Sequence, residues 1–364
     1  MYPRVVIDIE KLIDNCRVMC SYCREFNVDI TGVVKAVDGD IECAKAMYES
    51  GCKEIASSRI RHLRDLRLNG FDAPLMLIRI PMISEARDVV AYSDISMNSD
   101  IDVIKSLNDE AIRQGKIHKV VLMVEMGDLR EGVWDDNILK KIVTTVEQDM
   151  RNVELIGVGT NFGCYGSILP TKEKLEEFTE RVAFIEEIIG RKLEMTSVGG
   201  SACALRVLDR TLPPGINNIR MGDALIVGKD FLDLYGFDVP STHRDVVTLE
   251  AEVIEVYDKP SHPMGEIAYD GFSKKKRVYE DKGIRKRALL GVGRVDYGTW
   301  EGLTPRMKGV EVLGSSSDHT VLDIEDTKEK ISTGDILILD LHYLETVLSC
   351  CADDVGKVYI RGKT

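Results

Sequence analysis

Eight short apolar runs, each followed by a helix-sized interval, constrain the fold of this chain more than any other feature. They lie at residues 30–36, 54–57, 74–80, 95–98, 119–125, 154–161, 194–199 and 218–227. Stretches such as 99–114 and 172–189 have the apolar spacing of amphipathic helices. Strands alternating with helices predict an α/β protein with a (β/α)8 barrel, whose active site lies at the carboxyl ends of the strands. A doubly wound open sheet would give a similar pattern and remains an alternative.

The pattern changes near residues 236–244, a stretch that contains Gly, Pro, Ser and Thr. Beyond it we predict strands without long helices, at 246–256, 286–293, 309–315, 319–324, 335–340 and 358–361. The sequence therefore predicts a cofactor-binding barrel over residues 1–235 and a β domain over residues 236–364. We expect the first strand of the β domain to pair with N-terminal residues.

The charge balance limits the classes of partner. The chain carries 48 basic and 61 acidic residues, a net charge of −13. An acidic surface argues against nucleic acid and anionic membranes as partners but not against a small anionic ligand. The N-terminal residues have no apolar signal region, and nine scattered cysteines fit reduced thiols. These features predict a cytoplasmic protein.

Three cysteines near the N-terminus allow a rival interpretation. Cys16, Cys20 and Cys23 have the C-x3-C-x2-C spacing of a radical iron–sulfur cluster. They also continue the helical spacing of Ile9 and Leu12, which favours one buried helix face. The six histidines show no metal-binding spacing. We therefore predict no metal site.

Polar residues follow several of the predicted barrel strands. Lys35 comes directly after an apolar run, where its amine would be partly desolvated, and such an amine can attack an aldehyde. Glycines lie beside Ser201 and at Gly222 after the last two barrel strands. Barrels often bind phosphate there, through backbone N–H groups. A snorkelling surface lysine and ordinary glycine turns are the alternatives.

In combination, seven segments of the sequence resemble the alanine racemase fold family, and within it the ornithine racemases as a group. They are MYPRVVIDIEKL at 1–12, RIPMISEARDVV at 79–90, MGDLREGVW at 126–134, GVGTNFGCYG at 157–166, PPGINNIRMGDALIVG at 213–228, GIRKRALLGVGR at 283–294 and LGSSSDH at 313–319. The resemblance covers nearly the whole chain. It implies a barrel that binds pyridoxal 5′-phosphate (PLP), a C-terminal β domain and a head-to-tail homodimer.

The resemblance also implies roles for individual residues. Lys35 matches the lysine that forms a Schiff base with PLP, and Arg220 matches the arginine that faces the pyridine nitrogen. Arg130 matches the arginine near the cofactor phenolate and the substrate carboxylate. The other matched cofactor-binding positions are Gly200, Ser201 and Gly222 at the phosphate and Asn161, where the family has a histidine behind the ring.

The second acid/base, opposite Lys35, is left open by the resemblance. Alanine racemases use a tyrosine from the partner subunit, but that position in GRVDYG, residues 293–298, holds Arg294. Candidates for the second base are Tyr297, Asp318 and His319. A further departure is Gly39, which stands where the family has a tyrosine that contacts the cofactor.

Asp318 has a second candidate role at the substrate. In related decarboxylases this region supplies an acidic residue that meets the distal end of the substrate. Asp318 could bind the δ-ammonium of ornithine through a charge-assisted hydrogen bond. An ordinary strand-entry turn, in which Ser and Asp bond the backbone, is the alternative.

Together these features predict a PLP-dependent amino-acid racemase that acts on ornithine or a similar diamino acid. The expected mechanism is two-base transfer of the Cα proton through an external aldimine. The alternatives are a racemase of alanine, serine or a broad set of amino acids, a decarboxylase of the same fold, and a non-catalytic PLP-binding protein.

Overall fold

The computed structural model describes residues 1–362 and divides them into two compact units. The first unit contains Ile9–Val246 and the second contains Met1–Asp8 together with Val247–Ile360. The second unit thus begins at Val247, later than residue 236, and it takes in the first residues of the chain. The reason is local: residues 236–246 connect to the barrel, where the backbone carbonyl of His243 accepts a hydrogen bond from Asn15.

The first unit is a closed barrel of eight parallel strands. The strands are β2 (Asp29–Val33), β3 (Glu54–Ser57), β4 (Leu75–Leu77), β5 (Ile95–Asn98), β6 (His118–Met123), β7 (Val153–Asn161), β8 (Met195–Gly199) and β9 (Asn218–Met221). β2 pairs with β9, which closes the barrel. The predicted (β/α)8 barrel is therefore confirmed.

Helices occupy the intervals between these strands. They are α2 (Ile41–Glu49), α3 (Ile60–Leu68), α4 (Ala86–Tyr92), α5 (Ile101–Gln114), α6 (Asp136–Asp149), α7 (Lys172–Ile189) and the single turn α8 (Leu205–Leu208). The helix α1 (Ile9–Arg24) precedes the barrel, and α9 (Asp223–Ile226) and α10 (Asp230–Asp233) follow it. Aspartate side chains cap the N-termini of α2, α5 and α6, and Thr171 caps α7.

Five of the predicted barrel strands, β2, β4, β6, β8 and β9, are shorter in the structure, and two of these lie at the candidate site. β2 ends at Val33, and Lys35 lies on the 3-10 turn Val34–Val37. β9 ends at Met221, and the chain then turns at Gly222 into α9. A Cβ atom at Gly222 would lie 3.0 Å from the carbonyl oxygen of Val33, so glycine lets the ends of β9 and β2 come close together.

One apolar cluster draws a residue from nearly every barrel strand. Its members are Val33, Ala56, Met76, Ile95, Met97, Val121, Met123, Ile156 and Met195. These side chains are almost completely removed from water, which is the main stabilising contribution to such a barrel.

The cysteines of α1 lie on its buried face. Cys16, Cys20 and Cys23 are nearly inaccessible to solvent, together with Leu12 and Met19. Burial raises the pKa of Cys23 to about 12, so its thiol stays protonated and inert. Within residues 1–362, no group of His, Cys, Asp and Glu side chains is arranged to hold a metal ion, and no helix has the length and hydropathy to cross a membrane.

The second unit is an eight-stranded β sheet. Its strands are β1 (Arg4–Asp8), β10 (Val247–Pro260), β11 (Ile284–Leu290), β12 (Leu303–Pro305), β13 (Glu311–Ser315), β14 (Thr320–Asp323), β15 (Ile336–Leu341) and β16 (Gly356–Ile360). Six follow the order β12-β15-β10-β11-β14-β13, and β1 pairs antiparallel with β10 and parallel with β16. The predicted C-terminal β domain is confirmed as a fold.

This unit also contains two short helices, which is compatible with the prediction of strands without long helices. The turn α11 (Arg294–Tyr297) follows β11 directly, because Asp296 accepts a hydrogen bond from the backbone N–H of Gly293 and so closes a helical turn. The helix α12 (Tyr343–Cys351) lies between β15 and β16. Its apolar residues fit either a strand or a buried helix, so the pattern of one sequence does not distinguish the two.

Candidate active site

Lys35 lies just beyond the carboxyl end of β2, where barrel enzymes place their active sites. Desolvation lowers the pKa of its amine, and the positive charge of Arg130 lowers it further. Cys164, Glu131 and Asp223 act in the opposite direction but do not cancel the effect. A lysine amine with a lowered pKa is more often neutral, and only the neutral amine is a nucleophile.

Arg220, on β9, is 4% exposed and lies among acceptors from two neighbouring strands. Its Nη1 donates to Ser197 Oγ at 2.7 Å. Its Nη2 donates to the carbonyl oxygen of Thr160 and to Asn161 Oδ1, both at 2.7 Å. Burial lowers the pKa of Arg220 to about 10, so the guanidinium remains a cation at neutral pH.

Glu131 connects the two arginines of the barrel mouth, and the sequence analysis did not single it out. Its carboxylate accepts hydrogen bonds from Arg130 Nε and Nη2, the latter at 2.6 Å. It also accepts one from Asn161 Nδ2. The amide of Asn161 therefore points its nitrogen at Glu131 and its oxygen at Arg220. Arg130 Nη1 also contacts Cys164 Sγ at 2.7 Å.

Two buried carboxylates shape the loops that carry these residues. Glu125 accepts hydrogen bonds from the backbone N–H groups of Gly127, Leu129 and Arg130, at 2.6–3.1 Å. This fixes the loop after β6. Asp128 accepts bonds from backbone N–H groups of the loop after β7, including that of Cys164 at 3.1 Å. These hydrogen bonds hold in place the two loops that carry Arg130 and Cys164.

The ends of β8 and β9 form two glycine turns that one serine links. Ser201 Oγ accepts a hydrogen bond from the backbone N–H of Ala224 at 3.1 Å, which joins the turn at Gly200 to the turn at Gly222. A Cβ atom built on Gly200 would meet no heavy atom of residues 1–362 within 4 Å. The backbone at Gly200 therefore faces open space.

Asp223, directly after Gly222, is a buried acid in the same region. Both of its carboxylate oxygens are buried, and they accept no hydrogen bond from the described residues. Burial and the neighbouring charge of Asp230 raise the pKa of Asp223 to about 8, although Lys35 opposes the shift. At neutral pH this side chain is mostly protonated and uncharged.

The structure gives a physical reason for the glycine at position 39. Gly39 has a φ of +70°, and a Cβ atom there would lie 2.5 Å from the Cβ atom of His62. His62 is fixed in this place, because its Nδ1 is 2.8 Å from Ser57 Oγ and its Nε2 is 3.0 Å from Asp38 Oδ1. No larger residue fits at position 39 unless His62 moves.

The three candidates for the second base lie in the β unit, on two segments that pack against each other. The backbone N–H groups of Arg294 and Val295 donate to carbonyl groups of Ser316 and Ser317, at 3.0 and 3.1 Å. Asp318 and His319 follow on that second segment, and both are exposed.

Tyr297 is buried, unlike the other two candidates. It is 0% exposed, and its hydroxyl lies 2.6 Å from Thr320 Oγ1. Because Thr320 donates its own proton to the carbonyl oxygen of Val292, Tyr297 is the donor in this pair. Burial raises the pKa of the phenol. These contacts give Tyr297 a packing role and disfavour it as an acid/base.

Seven predicted residues thus gather in the barrel unit, at or beyond the carboxyl ends of its strands: Lys35, Arg130, Asn161, Gly200, Ser201, Arg220 and Gly222. Sequence reasoning missed Glu125, Asp128, Glu131 and Asp223. The acidic residues inside MGDLREG and beside Gly222 were visible, but only the folded backbone shows what each one contacts.

The burial of Tyr297 gives a prediction. Tyr297→Phe removes one buried hydrogen bond, so we expect the free energy of unfolding to fall by about 1 kcal/mol. Racemase activity of the folded variant should remain at the level of the unchanged protein. Denaturant unfolding and an activity assay check this, with Tyr165→Phe, at an exposed tyrosine, as the control. A folded Tyr297→Phe protein without activity would contradict the packing role.

Comparison with known proteins gives the same assignment over the whole chain. A sequence model of the alanine racemase N-terminal domain matches residues 7–230. An ornithine racemase of Acetoanaerobium sticklandii is 36% identical over 344 residues, which cover 94% of this chain and 95% of that protein. A lysine racemase of Thermotoga maritima is 36% identical over 360 residues, which cover 99% of both.

Solved structures agree on the fold. The alanine racemase of D-cycloserine-producing Streptomyces lavendulae superposes with a TM-score of 0.78 at 18% identity, covering 99% of this chain and 97% of that one. The D-threonine aldolase of Filomicrobium marinum superposes with a TM-score of 0.74 at 13% identity, covering 96% of this chain and 88% of that one. With the family match and two full-length relatives at 36% identity, this chain belongs to the alanine racemase family of amino-acid isomerases.

Proposed function

We propose that this protein is a PLP-dependent racemase that interconverts L- and D-ornithine or a similar diamino acid. The observation that carries the proposal is the position of Lys35, whose amine has a lowered pKa, just beyond β2, together with the buried cation Arg220 on the paired strand β9. The choice of a diamino acid rests on two relatives, named as racemases of ornithine and of lysine. Both of those substrates carry a second amine.

The donor set of the barrel mouth fits PLP. The cofactor has an aldehyde, a phosphate dianion, a phenolate and a pyridine nitrogen. A desolvated amine suits the aldehyde, and the open backbone at Gly200 together with the Ser201 hydroxyl suits the phosphate. Ser201 Oγ already accepts from Ala224, so its own proton is available to donate to an anion.

Asp223 fits this assignment only in its protonated form. A carboxylate beside a phosphate would repel it, whereas a carboxylic acid can donate a hydrogen bond to it. With a pKa near 8, Asp223 is mostly the acid at neutral pH, and an adjacent anion would raise that pKa further. The protonated oxygen is then available to donate a hydrogen bond to a bound phosphate.

Lys35 has two tasks in this proposal. Its neutral amine would hold the cofactor through the aldehyde carbon, and Nζ, once free of the cofactor, would take or return a proton at Cα on one face. When bound, PLP supplies an electron-withdrawing ring that acidifies the Cα–H bond of the attached amino acid. The lowered pKa of Lys35 brings its proton affinity nearer to neutral pH, where general acid–base catalysis is most effective.

The two arginines divide the remaining contacts. Arg220 is a cation at neutral pH and donates hydrogen bonds without giving up a proton, so we assign it to the pyridine nitrogen, which it keeps unprotonated. An unprotonated ring nitrogen would make the cofactor ring a weaker electron acceptor, which would disfavour side reactions. Arg130, with its charge balanced by Glu131, is assigned to the substrate carboxylate and the cofactor phenolate.

A second group is needed on the opposite face of Cα, and we assign it to a neighbouring copy of the chain in a cytoplasmic homodimer. The exposed Asp318 and His319 are the candidates. A carboxylate at Asp318 also suits the δ-ammonium of ornithine, through a charge-assisted hydrogen bond. In this scheme the partner subunit's His319 transfers the proton, and the partner subunit's Asp318 binds the distal amine of the substrate.

The proposal predicts which amino acids lose optical activity. We expect L-ornithine, and more slowly L-lysine, to lose their circular dichroism signal on incubation with the PLP-loaded protein, without release of carbon dioxide. L-alanine and L-serine should change little, and Lys35→Ala should be inactive with all four. Racemisation of alanine in preference to ornithine would contradict the substrate assignment. No racemisation of any of the four would overturn the proposed function.

The same assay tests the distal contact. Asp318→Ala should raise the KM for ornithine much more than for any slowly accepted monoamino acid, because only ornithine carries the δ-ammonium. Glu329→Ala, at another exposed acid of the β unit, is the control. An equal rise in KM for both kinds of substrate would count against this contact.

The assignment of Asp223 predicts a pH dependence of cofactor affinity. As the pH rises through about 8, Asp223 loses its proton and begins to repel the phosphate, so affinity for PLP should fall between pH 7 and pH 9. In Asp223→Asn, which stays neutral, the fall should be smaller. Fluorescence titration with PLP at the two pH values measures this. The same pH dependence in both proteins would contradict the assignment.

A further inference from the structure

A continuous chain of side-chain hydrogen bonds crosses the barrel interior from Arg220 to a buried acid. Arg220 Nη1 donates to Ser197 Oγ at 2.7 Å, and Ser197 Oγ donates to Asn218 Oδ1 at 2.6 Å. Asn218 Nδ2 donates to Thr31 Oγ1 at 2.9 Å, and Thr31 Oγ1 donates to Glu54 Oε2 at 2.8 Å. The side chains come from β8, β9, β2 and β3.

The two ends fix the direction of every bond in this chain. A guanidinium only donates, so Ser197 must accept from Arg220 and has its own proton left for Asn218. A carboxylate only accepts, so Thr31 must point its proton at Glu54 and receive the amide N–H of Asn218. The same orientation follows from either end, which makes the chain polar along its whole length.

The chain is isolated from solvent. Thr31 and Ser197 are 0% exposed, Asn218 is 2% exposed, and Glu54 and Arg220 are each 4% exposed. In an interior of low dielectric constant, hydrogen bonds polarise their neighbours. A change of charge at one end of the chain therefore affects the hydrogen bonds at the other end.

The charges around Glu54 are few. Burial raises the pKa of Glu54, while the bonds from Thr31 and Asn218 and the charge of Lys53 oppose the rise. Lys53 itself is paired with Asp29 at 2.6 Å, on the exposed side. Glu54 thus faces two hydrogen-bond donors of the barrel interior and, outside it, the cation Lys53 and the anion Asp29, whose charge adds to the rise of the pKa.

We propose that Glu54 is a positioning residue for Arg220. Its carboxylate orients Thr31, Asn218 and Ser197 so that a serine lone pair always meets the Arg220 guanidinium. The inference rests on the proposed function, because the orientation of Arg220 matters through the ring nitrogen that this residue is assigned to meet. Glu54 acts through Thr31, Asn218 and Ser197, and through a longer direct bond from Asn218 Nδ2 at 3.5 Å, and it touches no reacting atom.

Glu54→Gln is the test variant, because it keeps the size of the side chain and an acceptor for Thr31 but removes the charge. The pH titration of the visible absorption band of bound PLP is the readout, without substrate. We expect the pH at the midpoint of this titration to change by about one unit. We also expect kcat for racemisation to fall about tenfold while KM for ornithine changes little, as for other groups that orient a site residue from behind.

A second variant removes the shorter of the two links to Glu54 and leaves the longer one, from Asn218 Nδ2 at 3.5 Å. Thr31→Val keeps the shape but removes the hydroxyl, so it should shift the midpoint in the same direction. The double variant should shift it no further, because both changes interrupt one path. Glu194→Gln, at an exposed acid that precedes β8, should leave the spectrum unchanged.

The outcomes separate a positioning role from a structural one. If both interior variants lower the midpoint of thermal unfolding of the cofactor-free protein and leave the cofactor titration unchanged, the chain only satisfies buried polar groups and the inference is wrong. If the unchanged protein shows no PLP band at all, the proposed function fails and the role of Glu54 fails with it. A band that is present in all variants and shifted only in the interior ones supports the inference.

Discussion

The buried guanidinium of Arg220 is the interaction on which the barrel mouth depends. Removing such a cation from water is strongly unfavourable unless its N–H groups meet acceptors. The fold meets this demand with Ser197 from β8 and with Thr160 and Asn161 from β7. Replacing any one of these acceptors would leave a buried donor unpaired. The positions of the carboxyl ends of β7 and β8 are therefore constrained by the need to bond the guanidinium of Arg220.

Acidic residues on two sides complete the arrangement. Glu131 reaches Arg220 through the amide of Asn161 and also pairs with Arg130, so one carboxylate separates two like charges in a small space. Glu54 reaches Arg220 through the barrel interior. The cation near Lys35 that lowers the pKa of its amine is Arg130. Lys35, Arg130 and Arg220 thus belong to one electrostatic network.

Much of the fold could be predicted from the sequence, because it depends on local patterns. The apolar runs marked all eight barrel strands, and β3 and β5 have the predicted bounds. The position of Lys35 after a strand and the glycines near Ser201 and Gly222 were also readable. No apolar run marked β1 as a strand, but the expected pairing of the first β-domain strand with N-terminal residues is present between β10 and β1. The pairing of β1 with β16 was not foreseen, because β16 follows it by hundreds of residues. The roles of Glu54 and Glu131 are equally non-local.

The central claim is that Lys35 carries the cofactor beside Arg220. Reduction of the PLP-loaded protein with sodium borohydride, followed by peptide mass spectrometry, tests it most directly, because reduction makes the bond between lysine and cofactor permanent. The account predicts the mass of the reduced cofactor on the peptide that contains Lys35 and on no other lysine peptide. Attachment to a different lysine, or no attachment in a protein that has bound PLP, would contradict it.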